Sequence, residues 1–354
     1  MAKGVFQLEE LINMEAPSER VDELMRWVKI DLPNLNDDVK RHLLKQQVEL
    51  FNIEYGRYIA GTTITNELID ELMEDAIDTH IHGGSDPFER RELEDEIAID
   101  CTKAKMKAVV IKNWYTPSAS RTALIQKTVD QWAEDHRMRP VMVFGGITLN
   151  FSVGGLNPEA VKRCLGFPRF KYVWMPTVDS YNNQKITFNK EDGGIKYLTD
   201  NGRAVPELKE ILHIIADNDL ILATGFYPYR DTAPLMEEAK RLGVKRMEVI
   251  HPTLMHCKHT LAEMKELAMD GVKIGLTGIA SVNIRYVEGI RWVFKIVKEL
   301  SDSMVCGSSS GQIQNPTHIE GLRWMIRVLL AYGITKEEVT KILKTNPAAH
   351  LGLH

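Results

Sequence analysis

Cysteine is scarce in this sequence, and long apolar runs are missing from it. Four cysteines occur in 354 residues, at Cys101, Cys164, Cys257 and Cys306, and no two of them form the CxxC pair of a zinc or redox motif. No apolar run reaches the roughly 18 residues of a membrane-spanning helix. The acidic first residues differ from the basic and apolar layout of a signal peptide. We therefore expect a cytoplasmic protein with reduced thiols and no membrane partner.

Basic charge is not in excess either. The formal net charge is −5, whereas a nucleic-acid partner usually requires a basic patch or stripe. The glycine-rich segments match neither the GxGxxG nor the P-loop pattern of phosphate-binding loops. With 44% hydrophobic and 26% charged residues, the composition is ordinary for a globular protein with a substantial core. These features favour a protein that acts on a small molecule and has no nucleic-acid partner.

Residues 1–75 differ in pattern from the rest of the chain. Apolar residues recur there at helical spacing in LEELINM, ERVDELMRWVKI, DDVKRHLLKQQVELFNIEYGRYI and TNELIDELMEDA, with Pro17 and Pro33 between segments. This periodicity predicts a helical N-terminal extension. The extension either caps the following domain or mediates subunit contacts, and it leads us to expect a homo-oligomer.

From residue 76 onward, short apolar segments alternate with amphipathic helical segments. Eight strand candidates are found, at 76–82, 107–113, 140–147, 172–178, 220–226, 246–252, 272–279 and 304–310. Eight alternating strands predict an α/β (β/α)8 TIM-type barrel over residues 76–354. An open doubly wound sheet is the alternative. The tail contains Thr335 and Glu338 at capping-box spacing, which predicts a final helix.

Two histidines end the first strand candidate. In Asp78-Thr79-His80-Ile81-His82, alternation along a strand places His80 and His82 on one side, with Asp78 on the same side. In such barrels, functional residues lie at the carboxyl ends of strands. Both imidazoles can then hold one metal ion, with Asp78 orienting a ligand. The alternative is a set of polar residues that form hydrogen bonds at a strand end.

Other strand ends carry further candidates. His251 follows the sixth strand and is either a third metal ligand or a general base. Lys112 follows the second strand, where it can bind a substrate carboxylate, form a Schiff base, be carboxylated, or reach solvent. Trp114 is a candidate apolar wall for the substrate, and the alternative is that it packs its own loop. Gly154 and Gly155 predict a tight loop over the mouth, with a close backbone approach to substrate.

Several segments resemble the amidohydrolase superfamily, in particular a branch of predicted metal-dependent hydrolases. They are DTHIHGGSDPFERR, AVVIKNWYTP, FGGITLNFSVGGLNPEAV, VWMPTVD, LATGF, VIHP, SSSGQIQNPTHIEGL and TNPAAHLGL. The resemblance covers about four-fifths of the chain and follows the order of the strand ends. It implies that His80 and His82 are the first-strand metal ligands, that His251 is the sixth-strand histidine, and that Lys112 matches a lysine common in this branch.

Two positions depart from the pattern of that superfamily. Phe226 stands where relatives usually have a histidine after Thr-Gly, and Ser309 stands where they usually have a metal-binding aspartate. Because serine is a poor base, the general base would have to be His251 or another residue, such as Asp179 or Glu320. Ser309 and Gln312 are candidates for binding substrate.

The sequence therefore predicts a metal-dependent hydrolase of an amide, cyclic amide or ester bond in a small molecule. The expected cofactor is a divalent metal, zinc before manganese or iron. His251, Lys112 and Asp179 are the predicted catalytic residues. One alternative is a non-catalytic or regulatory barrel that partners a paralogous subunit. The other is a barrel lyase or decarboxylase, because this fold does not fix the reaction.

Overall fold

The computed structural model describes residues 64–254, 256–277, 290–313 and 315–353. It contains the predicted eight strands, all parallel and in sequential order. The strands are β1 (Ile77–Ile81), β2 (Ala108–Ile111), β3 (Met142–Thr148), β4 (Phe170–Trp174), β5 (Ile221–Ala223), β6 (Arg246–Ile250), β7 (Lys273–Thr277) and β8 (Met304–Gly307). Each is shorter than its candidate segment or is displaced from it by a few residues.

Helices follow the strands along the chain. They are α1 (Asn66–Met73), α2 (Glu94–Lys103), α3 (Thr122–His136), α4 (Pro158–Cys164), α5 (Tyr181–Phe188), α6 (Pro206–Asp217), α7 (Tyr229–Arg241), α8 (Leu261–Met269), α9 (Ile290–Leu300), α10 (His318–Ala331), α11 (Lys336–Thr340) and α12 (Asn346–Leu351). The predicted capping box is present at the start of α11, where the Thr335 side chain accepts from the Glu338 N–H.

The sheet closes into a barrel. Beyond the last residue of β8, the Ser309 N–H donates to the His80 carbonyl at 2.8 Å, and the His82 N–H donates to the Ser310 carbonyl at 2.9 Å. The Thr79 hydroxyl also donates to the Cys306 carbonyl. These bonds pair the first strand with the last, so the (β/α)8 barrel is confirmed and the open sheet is excluded.

Apolar side chains pack in two layers. One cluster fills the barrel interior and includes Ile77, Val110, Tyr172, Trp174 and Ile250. The other lies between the strands and the surrounding helices. This division is expected for a barrel whose strands are covered on both faces, and it explains why the strand candidates are apolar almost throughout.

The C-terminal helix α12 closes the barrel at the amino ends of the strands. Leu351 packs into the interior cluster, and the guanidinium of Arg246, at the start of β6, donates to the carbonyls of Ala349 and His350. The tail therefore packs against the barrel as predicted, and the opposite end of the barrel is left for the loops that follow the strands.

The predicted N-terminal extension lies mostly outside the described residues. Its last segment, TNELIDELMEDA, contains α1, which begins after the N-cap residue Thr65 and contacts α10. The three earlier helical segments and the two prolines fall within residues 1–63, which are not described. In the part of the chain with coordinates, no helix combines the length and the apolar character needed to cross a membrane.

The packing of α12 yields a prediction about stability. Leu351→Ala would leave a cavity in the barrel interior, since this side chain is only 3% exposed. We expect a loss of about 2–5 kcal/mol in the free energy of unfolding, measured by denaturant titration. Leu124→Ala is the matched control at a position that is 70% exposed, and it should change stability by less than about 0.5 kcal/mol. Equal effects of the two variants would contradict the role given to α12.

Candidate active site

Three histidine rings meet at the carboxyl ends of the strands. His80 lies within β1, His82 follows it, and His251 follows β6. The ring centroids of His80 and His82 are 5.2 Å apart, and those of His80 and His251 are 4.8 Å apart. All three side chains are buried. The structure therefore brings together the three histidines that the sequence singled out.

A register shift in β1 gives these histidines their direction. The shift lies between Asp78 and Ile81. His80 contacts the interior residue Trp174, whereas Asp78 faces His318 at the start of α10. The expectation that Asp78 shares a side with the histidines is therefore wrong, because the irregularity interrupts the alternation. Asp78 instead accepts backbone N–H groups of His80 and Ser308 and holds β1 against β8.

Hydrogen bonds fix two of the imidazoles. His82 Nδ1 lies 2.9 Å from the Lys112 carbonyl oxygen. Because a carbonyl can only accept, His82 Nδ1 carries the proton and its Nε2 has a lone pair. His251 Nδ1 is paired with the hydroxyl of Thr277, at the end of β7. In both residues Nε2 is the nitrogen left for another partner.

His80 has no such anchor. Both of its ring nitrogens are buried and have no hydrogen-bond partner among the described residues. Burial, and then the nearby Lys112, lower the pKa of His80 well below its usual range, and burial does the same to the pKa values of His82 and His251. All three rings are therefore neutral at physiological pH. Neutral imidazole is the form that binds metal ions.

Lys112 is the first residue after β2 and is 1% exposed. Its Nζ has no hydrogen-bond partner in the described part of the chain and lies 5.5 Å from the Trp174 ring centroid and 6.0 Å from that of Phe226. Burial lowers the pKa of Lys112 to about 7, against the opposing charge of Glu248. Lys112 thus points into the site, and the reading in which it reaches solvent is excluded.

Aromatic rings form the walls of this site. Phe226 follows β5 and is buried, with its ring 5.6 Å from that of His251 and stacked on His256. The ring of Trp114 lies 5.5 Å from that of His82, whereas the ring of Phe226 lies beside that of His251. The structure places Trp114 beside His82, and its role as an apolar wall for the substrate stays a prediction.

The other candidate substrate-binding residues lie in the loops. Ser309 has a φ of 50° and joins His80 through its backbone. Gln312 pairs with Arg90 in an isolated antiparallel bridge. Gly154 and Gly155 have φ values of 89° and 70°, which confirms a tight turn there. Contact of these four residues with a substrate remains a prediction.

Asp179 has a partner in a neighbouring loop. Its Oδ2 accepts a hydrogen bond of 2.8 Å from the Phe151 N–H, and its charge is among the causes that raise the pKa of Tyr115. It therefore ties the loop after β3 to the loop after β4 near Tyr115. Its predicted catalytic role stays a prediction. Glu320 caps the start of α10 through Thr317, which is the structural role expected of a charge at a helix start.

A serine, a histidine and an aspartate also meet at the seam between β1 and β8. The Ser308 hydroxyl is 3.1 Å from His318 Nδ1, and His318 Nε2 is 3.6 Å from Asp78. Residues 307–311 also have the Gly-x-Ser-x-Gly spacing, which sequence reasoning missed, but the central serine of that pattern is Ser309 and not Ser308. All three side chains are buried against α10, and no helix follows the segment directly. The cluster is therefore structural and is not a nucleophile elbow.

Three further residues near the histidines were not found from the sequence. Glu248 lies inside β6, is buried, and accepts a hydrogen bond of 2.9 Å from the Tyr172 hydroxyl. Arg90, in the loop after β1, is the main charged neighbour that lowers the pKa of His82. Gly307 makes room for His80, since a Cβ there would lie 2.5 Å from the His80 Cβ. The sequence signal that could have identified Glu248 is a charged residue within an otherwise apolar strand candidate.

The donor set fits a metal ion in part. Two imidazoles that bind one tetrahedral zinc at about 2.0–2.1 Å have ring centroids about 5 Å apart, and both histidine pairs have this spacing. Within the described residues, however, no three His, Cys, Asp or Glu side chains surround one point so as to hold an ion. The arrangement thus fits an ion held by two imidazoles, and the third ring would have to turn.

Comparison with known proteins places the chain in a family. A model described as a family of unknown function, DUF6282, matches residues 75–275, more than half of the chain. The chain belongs to this family. No curated protein matches it in sequence.

Solved structures share the fold. An amidohydrolase from Pseudomonas aeruginosa is 16% identical, with a TM-score of 0.51 over 80% of this chain and 97% of its own. An amidohydrolase from Burkholderia multivorans with bound zinc is 13% identical, with a TM-score of 0.51 over 79% and 99% of the two chains. A mutant of a PTE-like lactonase from Deinococcus radiodurans is also 13% identical, with a TM-score of 0.51 over 79% and 97%. The fold implied by the resemblance to amidohydrolases is therefore confirmed.

Burial of Lys112 predicts how stability depends on pH. Because the pKa of Lys112 is about 7 in the folded protein and 10.5 in its ordinary state, the unfolded chain binds more protons between these values. The contribution of Lys112 to stability therefore rises with pH from about 7 to about 10.5. With a chelator present, Lys112→Met should raise the free energy of unfolding most at pH 6–7 and least near pH 10, measured by urea titration. Lys127→Met, at an exposed position, is the control, and the same pH dependence in both variants would contradict the burial of charge at Lys112.

Proposed function

We propose that this protein is a hydrolase of an amide, cyclic amide or ester bond in a small molecule, and that it uses a divalent metal ion. Zinc is the preferred candidate for this ion, ahead of manganese and iron. The observation that carries the proposal is the position of His80. Its two buried nitrogens have no partner in the described part of the chain, and its ring lies between those of His82 and His251. A buried polar atom without a partner is costly, and a bound ion would remove that cost for one of the two nitrogens.

His80 would hold the ion together with His82 or His251 as the rings stand, and the third histidine would join them by turning. His82 presents Nε2 because the Lys112 carbonyl occupies its Nδ1 proton, and Thr277 similarly occupies Nδ1 of His251. A bound ion would polarise the scissile carbonyl and lower the pKa of a water molecule. The zinc in the amidohydrolase of Burkholderia multivorans supports this choice of metal.

Lys112 and the aromatic walls would act on the substrate. A lysine whose pKa is about 7 can donate a hydrogen bond to the negative charge that develops on the substrate oxygen. This hydrogen bond is strongest where water is excluded. Phe226 and Trp174 provide that dry surface around its Nζ. If His251 does not hold the ion, its Nε2 can accept a proton from water, since Thr277 keeps the ring oriented. Asp179 remains the second candidate for this base.

Metal analysis tests the proposal directly. We expect gently purified protein, or protein reconstituted with zinc, manganese or iron, to contain close to one metal ion per chain. His80→Ala and His82→Ala should each lower that content at least tenfold and abolish ester and amide hydrolysis, because each removes one imidazole of the pair. Elemental analysis by mass spectrometry is the measurement.

The control for this test is His136→Ala, at an exposed position whose ring stacks on Trp132. It should retain both metal and activity. A metal-free parent that cannot be reconstituted would contradict the hydrolase proposal and favour the non-catalytic barrel. In that case we would test for a paralogous partner subunit. The homo-oligomer and the cytoplasmic location stay predictions.

A lyase is a second candidate, favoured by one observation. The Lys112 Nζ is buried beside aromatic rings and makes no hydrogen bond to any described residue. Such an amine can attack a substrate carbonyl carbon, and loss of water then leaves an imine. Borohydride would reduce that imine to a stable amine. Intact-mass analysis after treatment with pyruvate and borohydride should then show one adduct, absent from Lys112→Met, and no adduct with pyruvate or a panel of other small carbonyl compounds would exclude this route.

A further inference from the structure

Arg90 is a buried cation at the edge of the proposed site. Its side chain is 4% exposed and that of its partner Asp86 is 0% exposed. Nε and Nη2 of Arg90 both donate to Asp86 Oδ2, at 3.1 and 2.8 Å. One edge of the guanidinium is thus held by a carboxylate that is itself out of contact with water.

Further contacts hold this pair in place. The Asn113 side chain, after β2, donates to Asp86 Oδ2 at 3.2 Å, and the Phe88 N–H donates to Asp86 Oδ1. The backbone of Arg90 pairs with Gln312 beyond β8. The guanidinium is therefore fixed between the loops that follow three neighbouring strands, and its orientation does not depend on a flexible side chain.

Donors beside this pair have no partner. Arg90 Nη1 makes no hydrogen bond to any residue with described coordinates, although the other two nitrogens are engaged. The indole Nε1 of Trp114 is buried and also has no partner within the described ranges. The Arg90 Cζ lies 5.5 Å from the Trp114 ring centroid. The buried indole donor therefore calls for an acceptor that a ligand would supply, and Arg90 Nη1 is an unengaged charged donor beside it.

The position of Arg90 joins this place to the histidines. The Trp114 ring is 5.5 Å from that of His82, so the place beside Arg90 adjoins the histidines. The carboxylate of Asp86 is already engaged with Arg90, and that of Glu248, deeper in the barrel, is engaged with Tyr172. Lys112 therefore has no ion-pair partner among the described residues, whereas Arg90 is paired with Asp86 and offers its remaining donors to a ligand.

We propose that Arg90 and the indole N–H of Trp114 form a subsite that binds a carboxylate group of the substrate, beside the bond that is hydrolysed. This inference rests on the proposed function and names the class of its substrate: a small organic acid that contains the amide or ester. The free edge of a guanidinium matches the two oxygens of a carboxylate. Lys112 stays available for the reacting carbonyl.

Rings around the subsite indicate the body of that acid. Phe88 is exposed, and its ring lies 5.5 Å from that of Tyr115, which in turn is 6.5 Å from Trp114. These three rings form an apolar rim next to the guanidinium. We therefore expect the acid to carry an aromatic or alicyclic group that packs on this rim.

Binding of benzoate tests the subsite without a known substrate. Isothermal titration calorimetry on the purified, metal-loaded protein should show that benzoate binds at least tenfold more tightly than benzamide, because the amide is of the same shape and has no charge. Arg90→Gln and Arg90→Lys should each weaken benzoate binding about tenfold or more and bring it close to benzamide, since charge-assisted hydrogen bonds are lost or lose their fork geometry. Trp114→Phe keeps the ring and should weaken benzoate alone.

Arg91→Gln is the matched control. Arg91 is the exposed neighbour, and its side chain donates to the Ile313 carbonyl, so benzoate affinity should change less than threefold. Equal binding of benzoate and benzamide by the unaltered protein would overturn the subsite, even if the Arg90 variants failed to fold. So would binding that depends on Arg90 for inorganic phosphate but not for benzoate. Metal content is measured on the same samples: selective benzoate binding by a protein that cannot be loaded with metal would refute the hydrolase and keep the subsite.

Discussion

Removal of water from a cluster of basic side chains is the constraint on which this site depends. Burial is the largest cause of the lowered pKa values of His80, His82, His251 and Lys112. In water the same four groups would carry positive charge to a greater extent and would repel one another and any metal ion. The barrel excludes water by placing Trp174 and Phe226 against the amine. Because the imidazoles are neutral and the pKa of Lys112 is about 7, their lone pairs are available for a metal, a proton or a carbonyl carbon.

Phe226 affects both the number of possible metal ligands and the desolvation of the site. In the resembling superfamily a histidine usually stands there, so the ring removes one possible ligand. It also contacts His251 and lies near the Lys112 amine, where an apolar group strengthens desolvation. Ser309, which is neutral, removes an anion from the same mouth. If the proposed metal is bound, both changes would favour one ion over two.

Strand order, the three histidines and Lys112 could be predicted because each depends on local pattern. Apolar segments mark the strands, and residues after parallel strands meet at one end of a barrel. Asp78 could not be placed correctly, since the shift in β1 that turns it outward arises from pairing with β2. Arg90 was missed for a related reason. It reaches the site through contacts with Asp86 and with the backbone of Gln312, and the sequence shows only an arginine in a polar loop.

The lower half of the barrel also acts on the site. Glu248 lies beneath Lys112, and its charge opposes the effect of burial on the pKa of that lysine. The carboxylate accepts a bond from Tyr172 and lies 3.4 Å from His350, which belongs to the closing helix α12. The helix at the amino end of the barrel thus places His350 beside the carboxylate whose charge raises the pKa of Lys112. One buried carboxylate therefore interacts with residues that belong to both ends of the barrel.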